Sequence, residues 1–248
     1  MTPVELTPVQ LAELLRPMLD TALIGFDVDG VLAPIVEHAD DARLTDGVGA
    51  SLATLSAHAT IAIVSGRSLD DLERRFGFPE DVHVIGSHGL EIRGDDELAL
   101  EPNEAHTLRQ LALLGQKTVD AAGSGAWLET KPASVVVHTR SADPALADEA
   151  VAVVSRLAAM VPGAQVKPGH QVVELLARDA SKGDALLALA RRTGCSPLVF
   201  IGDDVTDEDA FVSMGDEDIS VRVGGGETIA RYRVCGPDDV AAALTRLI

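Results

Sequence analysis

Aromatic residues are scarce: Phe, Trp and Tyr together make up 3% of the chain, with a single tryptophan and a single tyrosine. A core must therefore be filled by aliphatic side chains, and the 46% hydrophobic content is dominated by Ala, Leu and Val, which marks an ordered protein of aliphatic strands and Ala-rich helices. Cysteine is nearly missing as well. Cys195 and Cys235 form no CxxC pair and have no neighbouring His cluster, which argues against a zinc site or a disulfide framework; both are expected to behave as small buried hydrophobes. Basic residues are outnumbered 39 to 20 by acidic ones, for a net charge of −19. A chain so acidic has no general grip on nucleic acid or on an anionic membrane, so an anionic substrate must be captured locally by a metal ion or by a few placed Lys and Arg side chains. No apolar run approaches membrane-spanning length, and Met1 to Leu11 has no basic region followed by an apolar one. The expected location is the cytoplasm, with no membrane partner.

What is present alternates. A helical apolar spacing over Thr7 to Leu19 leads into the run Ala22-Leu23-Ile24-Gly25-Phe26. A helix over Gly47 to His58 precedes the aliphatic strand Ile61-Ala62-Ile63-Val64, and a helix over Ser68 to Phe76 precedes Val82-His83-Val84-Ile85. This order predicts an α/β fold with a Rossmann-like parallel sheet, whose ligands bind beyond the carboxyl ends of the strands. Between about Gly94 and Leu176 the pattern becomes helix, hairpin, helix, hairpin. Helices are expected over Asn103 to Ala122 and Pro144 to Met160, and Lys131-Pro132 and Pro168-Gly169 signal turns. From Ser181 the alternation returns. The sequence thus predicts a discontinuous core, residues 1–94 and 177–248, with an α+β domain over 95–176 inserted between its halves.

Polar clusters fall at the strand ends. Asp27 and Asp29 follow the first strand and would share a face if the extended backbone persisted to Gly30. Two carboxylates about 4 Å apart repel by roughly 4 kcal/mol at an effective dielectric near 20, so the pair calls for a cation, a shared proton or a splayed backbone. A second cluster, Asp203-Asp204-Val205-Thr206-Asp207-Glu208-Asp209, follows Leu198-Val199-Phe200-Ile201 and opens a helix. Helix capping accounts for two or three of these acids; five in seven residues point to oxygen ligands for a hard divalent cation such as Mg2+. Lys182 begins a helix, where the dipole disfavours a cation, so an anion is expected beside it. Ser65-Gly66-Arg67 offers a hydroxyl and a backbone N–H at a strand-to-helix turn, suited to a phosphoryl oxygen.

In the order Asp27/Asp29, Ser65, Lys182 and Asp203/Asp204/Asp207, these sites resemble the four motifs of the haloacid dehalogenase-like (HAD-like) phosphatases, over nearly the whole chain. The insertion resembles that superfamily's α/β cap. Within it, Leu32-Ala33-Pro34-Ile35, Ser65-Gly66-Arg67, Gly86-Ser87-His88-Gly89-Leu90-Glu91 and Gly202 through Phe211 resemble the trehalose-6-phosphate phosphatase family. So do Glu129-Thr130-Lys131, Ser134, His138-Thr139-Arg140 and Gly169 through Glu174 in the insertion. The chain departs from that pattern at Leu175-Leu176 after Glu174, where Arg-Pro is usual, and at Thr139, where an aromatic is frequent.

The resemblance implies a Mg2+-dependent phosphatase that cleaves trehalose 6-phosphate. Asp27 would be the nucleophile and Asp29 the acid and base, with Ser65 and Lys182 steadying the phosphoryl group. Metal ligands would be Asp27, the backbone carbonyl of Asp29, and Asp203, with Asp204 or Asp207 acting through water. Arg67, His88, Glu129, Lys131, Arg140 and Glu174 would contact the sugar, and His138 reads as structural. Association with a trehalose-phosphate synthase is the macromolecular partner implied. A phosphatase for a sucrose-, glucosylglycerol- or mannosylglycerate-type phosphate, or a non-catalytic sugar-phosphate-binding partner of a synthase, are the alternatives.

Overall fold

A computed structural model describes residues 2–36, 38–169 and 171–248. In chain order its elements are β1 (Val4–Glu5), α1 (Pro8–Leu15), β2 (Leu23–Phe26), α2 (Val48–Leu55), β3 (Thr60–Val64), α3 (Leu69–Phe76), β4 (His83–Gly86) and β5 (Glu91–Ile92). Then come α4 (Pro102–Ala122), β6 (Trp127–Thr130), β7 (Ser134–His138), α5 (Pro144–Ala158), β8 (Gln165–Gly169) and β9 (Val172–Leu176). The chain finishes with α6 (Lys182–Thr193), β10 (Leu198–Gly202), α7 (Val205–Ser213), β11 (Ile219–Val223), β12 (Tyr232–Val234) and α8 (Pro237–Leu247). Residues 1–95 and 180–248 form one compact unit and 96–179 a second. The second unit extends past 176 to 179 because the Ala177 N–H donates to the Ala133 carbonyl and Arg178 pairs with Glu104.

The first unit is built on an eight-stranded sheet in the order β1-β12-β11-β10-β2-β3-β4-β5, parallel throughout except for β5 against β4. Its central strands are apolar at nearly every position because both faces are covered by helices. Along β2 and β10 alternate residues take opposite faces. Ile24, Phe26, Val199 and Ile201 pack with Leu11, Leu15 and Leu244 of α1 and α8, whereas Leu23 and Phe200 pack with Leu186, Leu189 and Phe211 of α6 and α7. Helix starts follow local chemistry. Thr7 and Gln10 form a reciprocal capping box ahead of α1, and Ser68, Ser181 and Asp204 accept backbone N–H groups at the starts of α3, α6 and α7.

The second unit is an antiparallel sheet in the order β6-β7-β9-β8. One face, carrying Val135, Val137, Val173 and Leu175, packs with Leu111 of α4 and with Val154 and Ala158 of α5. By register the other face carries Trp127, Glu129, Ser134, Val136, His138, Lys167 and Glu174. Among the described residues no helix is long and apolar enough to cross a membrane.

Three features differ from the sequence expectation. β1, β5 and β12 run for only two or three residues, too short to show a period, and exist through pairing with neighbouring strands. Pro168 and Gly169 lie within β8 rather than in the turn, to which Gln171, with φ 60°, belongs. Cys195 is half-buried and Cys235 is exposed, so neither is a core residue.

Phe200 is fully buried in the middle of β10 against Phe211, with ring centroids 5.7 Å apart. Phe200→Ala is expected to cost about 3–5 kcal/mol through lost burial and the cavity left behind. Thermal unfolding followed by circular dichroism should show a midpoint roughly 10 °C lower.

Candidate active site

The parallel strands end along one edge of the sheet, and the polar residues collect there. β2 stops at Phe26, and the Asp27 N–H donates to the Ile201 carbonyl (3.0 Å), tying the loop to β10. Asp27 is buried; its Oδ1 accepts the Val28 N–H at 2.7 Å and its Oδ2 lies 2.9 Å from Lys182 Nζ. The same ammonium lies 2.8 Å from Asp207 Oδ1, so the anion expected beside Lys182 is a pair of carboxylates, one from the loop after β2 and one from the first turn of α7. Burial alone would lower the Lys182 pKa, but the negative charges of Asp207 and Asp27 hold it well above the ordinary value. Lys182 is thus a fixed cation.

One cation does not balance the acids around it. Burial raises the Asp27 pKa by more than Lys182 lowers it, and Asp207, Asp204 and Asp203 add repulsion. Asp203 is pushed up to about 7, first by burial and then by Asp207 and Asp204. Asp207 is also raised by burial, against the pull of Lys182. Carboxylate oxygens of Asp27, Asp203 and Asp207 lie within 4.8 Å of one another. Three hard oxygen donors with surplus negative charge are a set that suits a hard divalent cation.

The members of the cluster differ in how far the protein already engages them. Asp207 is consumed: besides Lys182, its Oδ2 accepts the backbone N–H groups of Asp203 (2.8 Å) and Asp204 (3.1 Å). Asp204 caps α7, its Oδ1 accepting from the backbone of Thr206 and Asp207 and from the Thr206 hydroxyl. Burial would raise the Asp204 pKa, yet Lys182 and these hydrogen bonds hold it below the ordinary value. Capping chemistry therefore accounts for Asp204 and part of Asp207, while Asp203 accepts no hydrogen bond among the described residues. The Asp203 carboxylate lies over Gly30, where a Cβ would stand 2.0 Å from its Oδ2 and φ is +78°. Any residue but glycine at 30 would displace it.

Asp29 does not join this cluster. The strand ends three residues before it, the backbone splays, and its side chain turns to Arg67, with Oδ2 2.6 Å from Nε and Oδ1 2.7 Å from Nη2. Arg67 is held in turn by Asp71 at 2.7 Å. Burial would raise the Asp71 carboxyl, but hydrogen bonds from Arg75, Arg67 and Arg74 hold it at about 2. The sequence reading passed over Asp71; its signal was the four-residue spacing to Arg75 on a helix.

Ser65 is buried at the end of β3, its hydroxyl accepting the Arg67 N–H at 3.3 Å and its carbonyl accepting the His88 N–H at 2.9 Å. Ser87 and His88 both have positive φ (48° and 57°), a strained arrangement for residues with side chains, and it brings the His88 ring against Gly66. Glu91 holds this loop by accepting the Ser87 hydroxyl and the Leu69 N–H, a role the sequence reading did not assign.

In the second unit, Glu174 Oε1 accepts from Ser134 Oγ at 2.6 Å and lies 3.3 Å from Lys131 Nζ, all three residues being buried. Glu129 pairs instead with His138 at 2.9 Å. Arg140 is exposed just after β7. Thr139 is buried and donates its hydroxyl and N–H to the Gln171 carbonyl, so this departure from the family pattern closes a turn. Leu175 and Leu176 are buried in β9. Of the segment Gly169 through Glu174, His170 lies outside the described residues.

A family model described as trehalose-phosphatase matches residues 25–236. The chain is 34% identical to the trehalose-6-phosphate phosphatase of Escherichia coli (strain K12) over 87% of its own length and 82% of the relative's. It is 35% identical to a trehalose-phosphate phosphatase of Mycobacterium marinum over 90% of its length, spanning only 60% of that longer relative. Among solved structures, the C-terminal domain of C. albicans trehalose-6-phosphate phosphatase superposes with a TM-score of 0.83 at 23% identity, covering all of this chain and 98% of that one. An Aspergillus fumigatus trehalose-6-phosphate phosphatase gives 0.67 at 26% identity, covering 99% and 98%. The chain belongs to the trehalose-phosphatase family.

Proposed function

We propose that the protein hydrolyses trehalose 6-phosphate to trehalose and inorganic phosphate, with 1–95 and 180–248 as the catalytic core and 96–179 as the cap that selects the sugar. The observation that carries this is the buried Asp27 carboxylate held by Lys182 beside Asp203 and Asp207. Asp27 attacks phosphorus, the bond from phosphorus to the sugar oxygen breaks, and Asp29 gives that oxygen its proton. Water then attacks the aspartyl-phosphate, passes a proton to Asp29, and releases phosphate and free Asp27. Two displacements replace one harder one. Asp29 is gripped at both oxygens by Arg67, so handing on a proton requires Arg67 to release one of them.

Lys182 has three N–H groups, two of which are taken by Asp27 and Asp207, leaving the third for a phosphoryl oxygen. Ser65 Oγ, which already accepts from the Arg67 N–H, has its own proton to donate to the same group. Fixed donors at developing negative charge are the largest catalytic term in such sites. Magnesium held by Asp27, the Asp29 carbonyl and Asp203, with Asp204 or Asp207 through water, would supply charge neutralisation for the acids and the phosphoryl oxygens.

For the sugar we assign Glu129, Lys131, Arg140 and Glu174 of the cap together with Arg67 and His88 of the core. Among these the buried Lys131 and Glu174 discriminate most strongly, since an analogue that leaves a buried charged group unpaired is rejected. Supply of the ester by an associating trehalose-phosphate synthase belongs to the same reading.

Asp27→Asn should abolish phosphate release while leaving the circular dichroism spectrum intact, because Lys182 keeps Asp207 as its counter-ion; turnover by the purified variant would refute the nucleophile. Phosphate release from trehalose 6-phosphate should require added Mg2+ and stop with EDTA, and release that persists in EDTA would remove the metal from the scheme. Glu129→Ala should raise KM for trehalose 6-phosphate far more than KM for p-nitrophenyl phosphate, and equal changes on the two would count against a sugar contact.

A further inference from the structure

Glu129 lies on β6, an edge strand of its sheet, where a long side chain has a neighbouring strand on one side only. Left to itself it would sample many rotamers and lose that freedom on gripping a ligand. It is not left to itself. Trp127 and His138 stand opposite one another in register across β6 and β7, with ring centroids 3.9 Å apart and planes within 5°. Glu129 is paired with Val136, so His138 reaches it along the diagonal and places Nε2 2.9 Å from Oε2. A carboxylate only accepts, so the imidazole donates from Nε2. The stack fixes the ring plane, the ring fixes one carboxylate oxygen, and the other oxygen remains for a ligand. All three side chains lie on the sheet face away from α4 and α5, the face that also carries Ser134 and Glu174.

We infer that His138, braced flat against Trp127, is a positioning residue that sets the Glu129 carboxylate for a sugar hydroxyl, and that this triad governs preference among sugar phosphates. The inference rests on the sugar-phosphate activity proposed above. Its physical content is preorganisation: the cost of ordering Glu129 is met in the folded protein rather than on binding. His138 is thereby more than the structural residue the sequence suggests, and the exposed half of Trp127 borders the ligand groups.

The experiment compares the full chain with His138→Phe, which keeps a ring on Trp127 but has no donor, and with His138→Gln, whose amide nitrogen can replace Nε2. Substrates are trehalose 6-phosphate, glucose 6-phosphate, sucrose 6-phosphate, glucosylglycerol phosphate and p-nitrophenyl phosphate. His138→Phe should raise KM for the preferred sugar phosphate about tenfold with kcat little changed, as loss of a hydrogen bond to a charged group predicts. The change on p-nitrophenyl phosphate should be much smaller, and His138→Gln should recover most of the loss. Trp127 is the only tryptophan, so its fluorescence reports on the triad without turnover. Titration with free trehalose should change its emission in the wild type and need about tenfold more sugar in His138→Phe, the same factor. An unchanged sugar-phosphate KM in His138→Phe, or a His138→Gln variant as impaired as His138→Phe, would overturn the inference. A wild-type chain that cleaves p-nitrophenyl phosphate but prefers no sugar phosphate would instead overturn the proposed activity. That outcome is visible before any substitution, and the trehalose titration then decides alone whether the triad holds a sugar.

Discussion

The contact on which the site depends is the ammonium of Lys182 lodged between Asp27 and Asp207. Three charged groups are buried together, and removing the ammonium would leave two carboxylates uncompensated in a low-dielectric setting, where the penalty is several kcal/mol. The arrangement survives because each carboxylate is also hydrogen-bonded to backbone N–H groups, Asp27 by Val28 and Asp207 by Asp203 and Asp204. Lys182 thereby joins the loop after β2 to the first turn of α7. Its own place at the start of α6 opposes the helix dipole, and the two acids supply the compensation.

The surplus of acid beyond that one cation gives the site its character. Asp203, pushed up to about 7 by burial and by Asp207 and Asp204, has no cationic partner of its own among the described residues. Such frustration concentrates where a protein binds something of opposite charge. Asp71 and Arg67 show the contrary solution a short distance along the same edge, a chain of alternating charges running through Arg75 to Asp40 in which each member is matched. The two networks divide the work: one is saturated and rigid, the other keeps unspent charge.

Much of this was legible in the residues. The aliphatic runs at Leu23 to Phe26, Ile61 to Val64 and Leu198 to Ile201 could only be strands buried on both faces, and the acids that follow them had to emerge at one edge. The awkward placement of Lys182 at a helix start announced its anionic neighbours. What could not be read was direction. The Asp27 and Asp29 spacing suggested a shared face, but the strand stops at Phe26, and a backbone turn sends the second carboxylate to an arginine 38 residues away. The Trp127 and His138 stack was equally hidden, because strand register across a hairpin decides which side chains meet, and a shift of one residue would have separated them.

The order of strands in the larger sheet also governs how the molecule must be made. Leu23 in β2 sits beside Leu198 in β10, and every residue of 96–179 is synthesised between them. Half of the central sheet therefore waits, with an unpaired apolar edge, until translation has passed the insertion, while the insertion holds its own hydrophobic cluster and can close beforehand. Asp27 precedes the insertion and Lys182 follows it, so the ion pair between them cannot form until 96–179 has been made. A product that stops short of Lys182 therefore carries the buried Asp27 carboxylate without the cation that holds it.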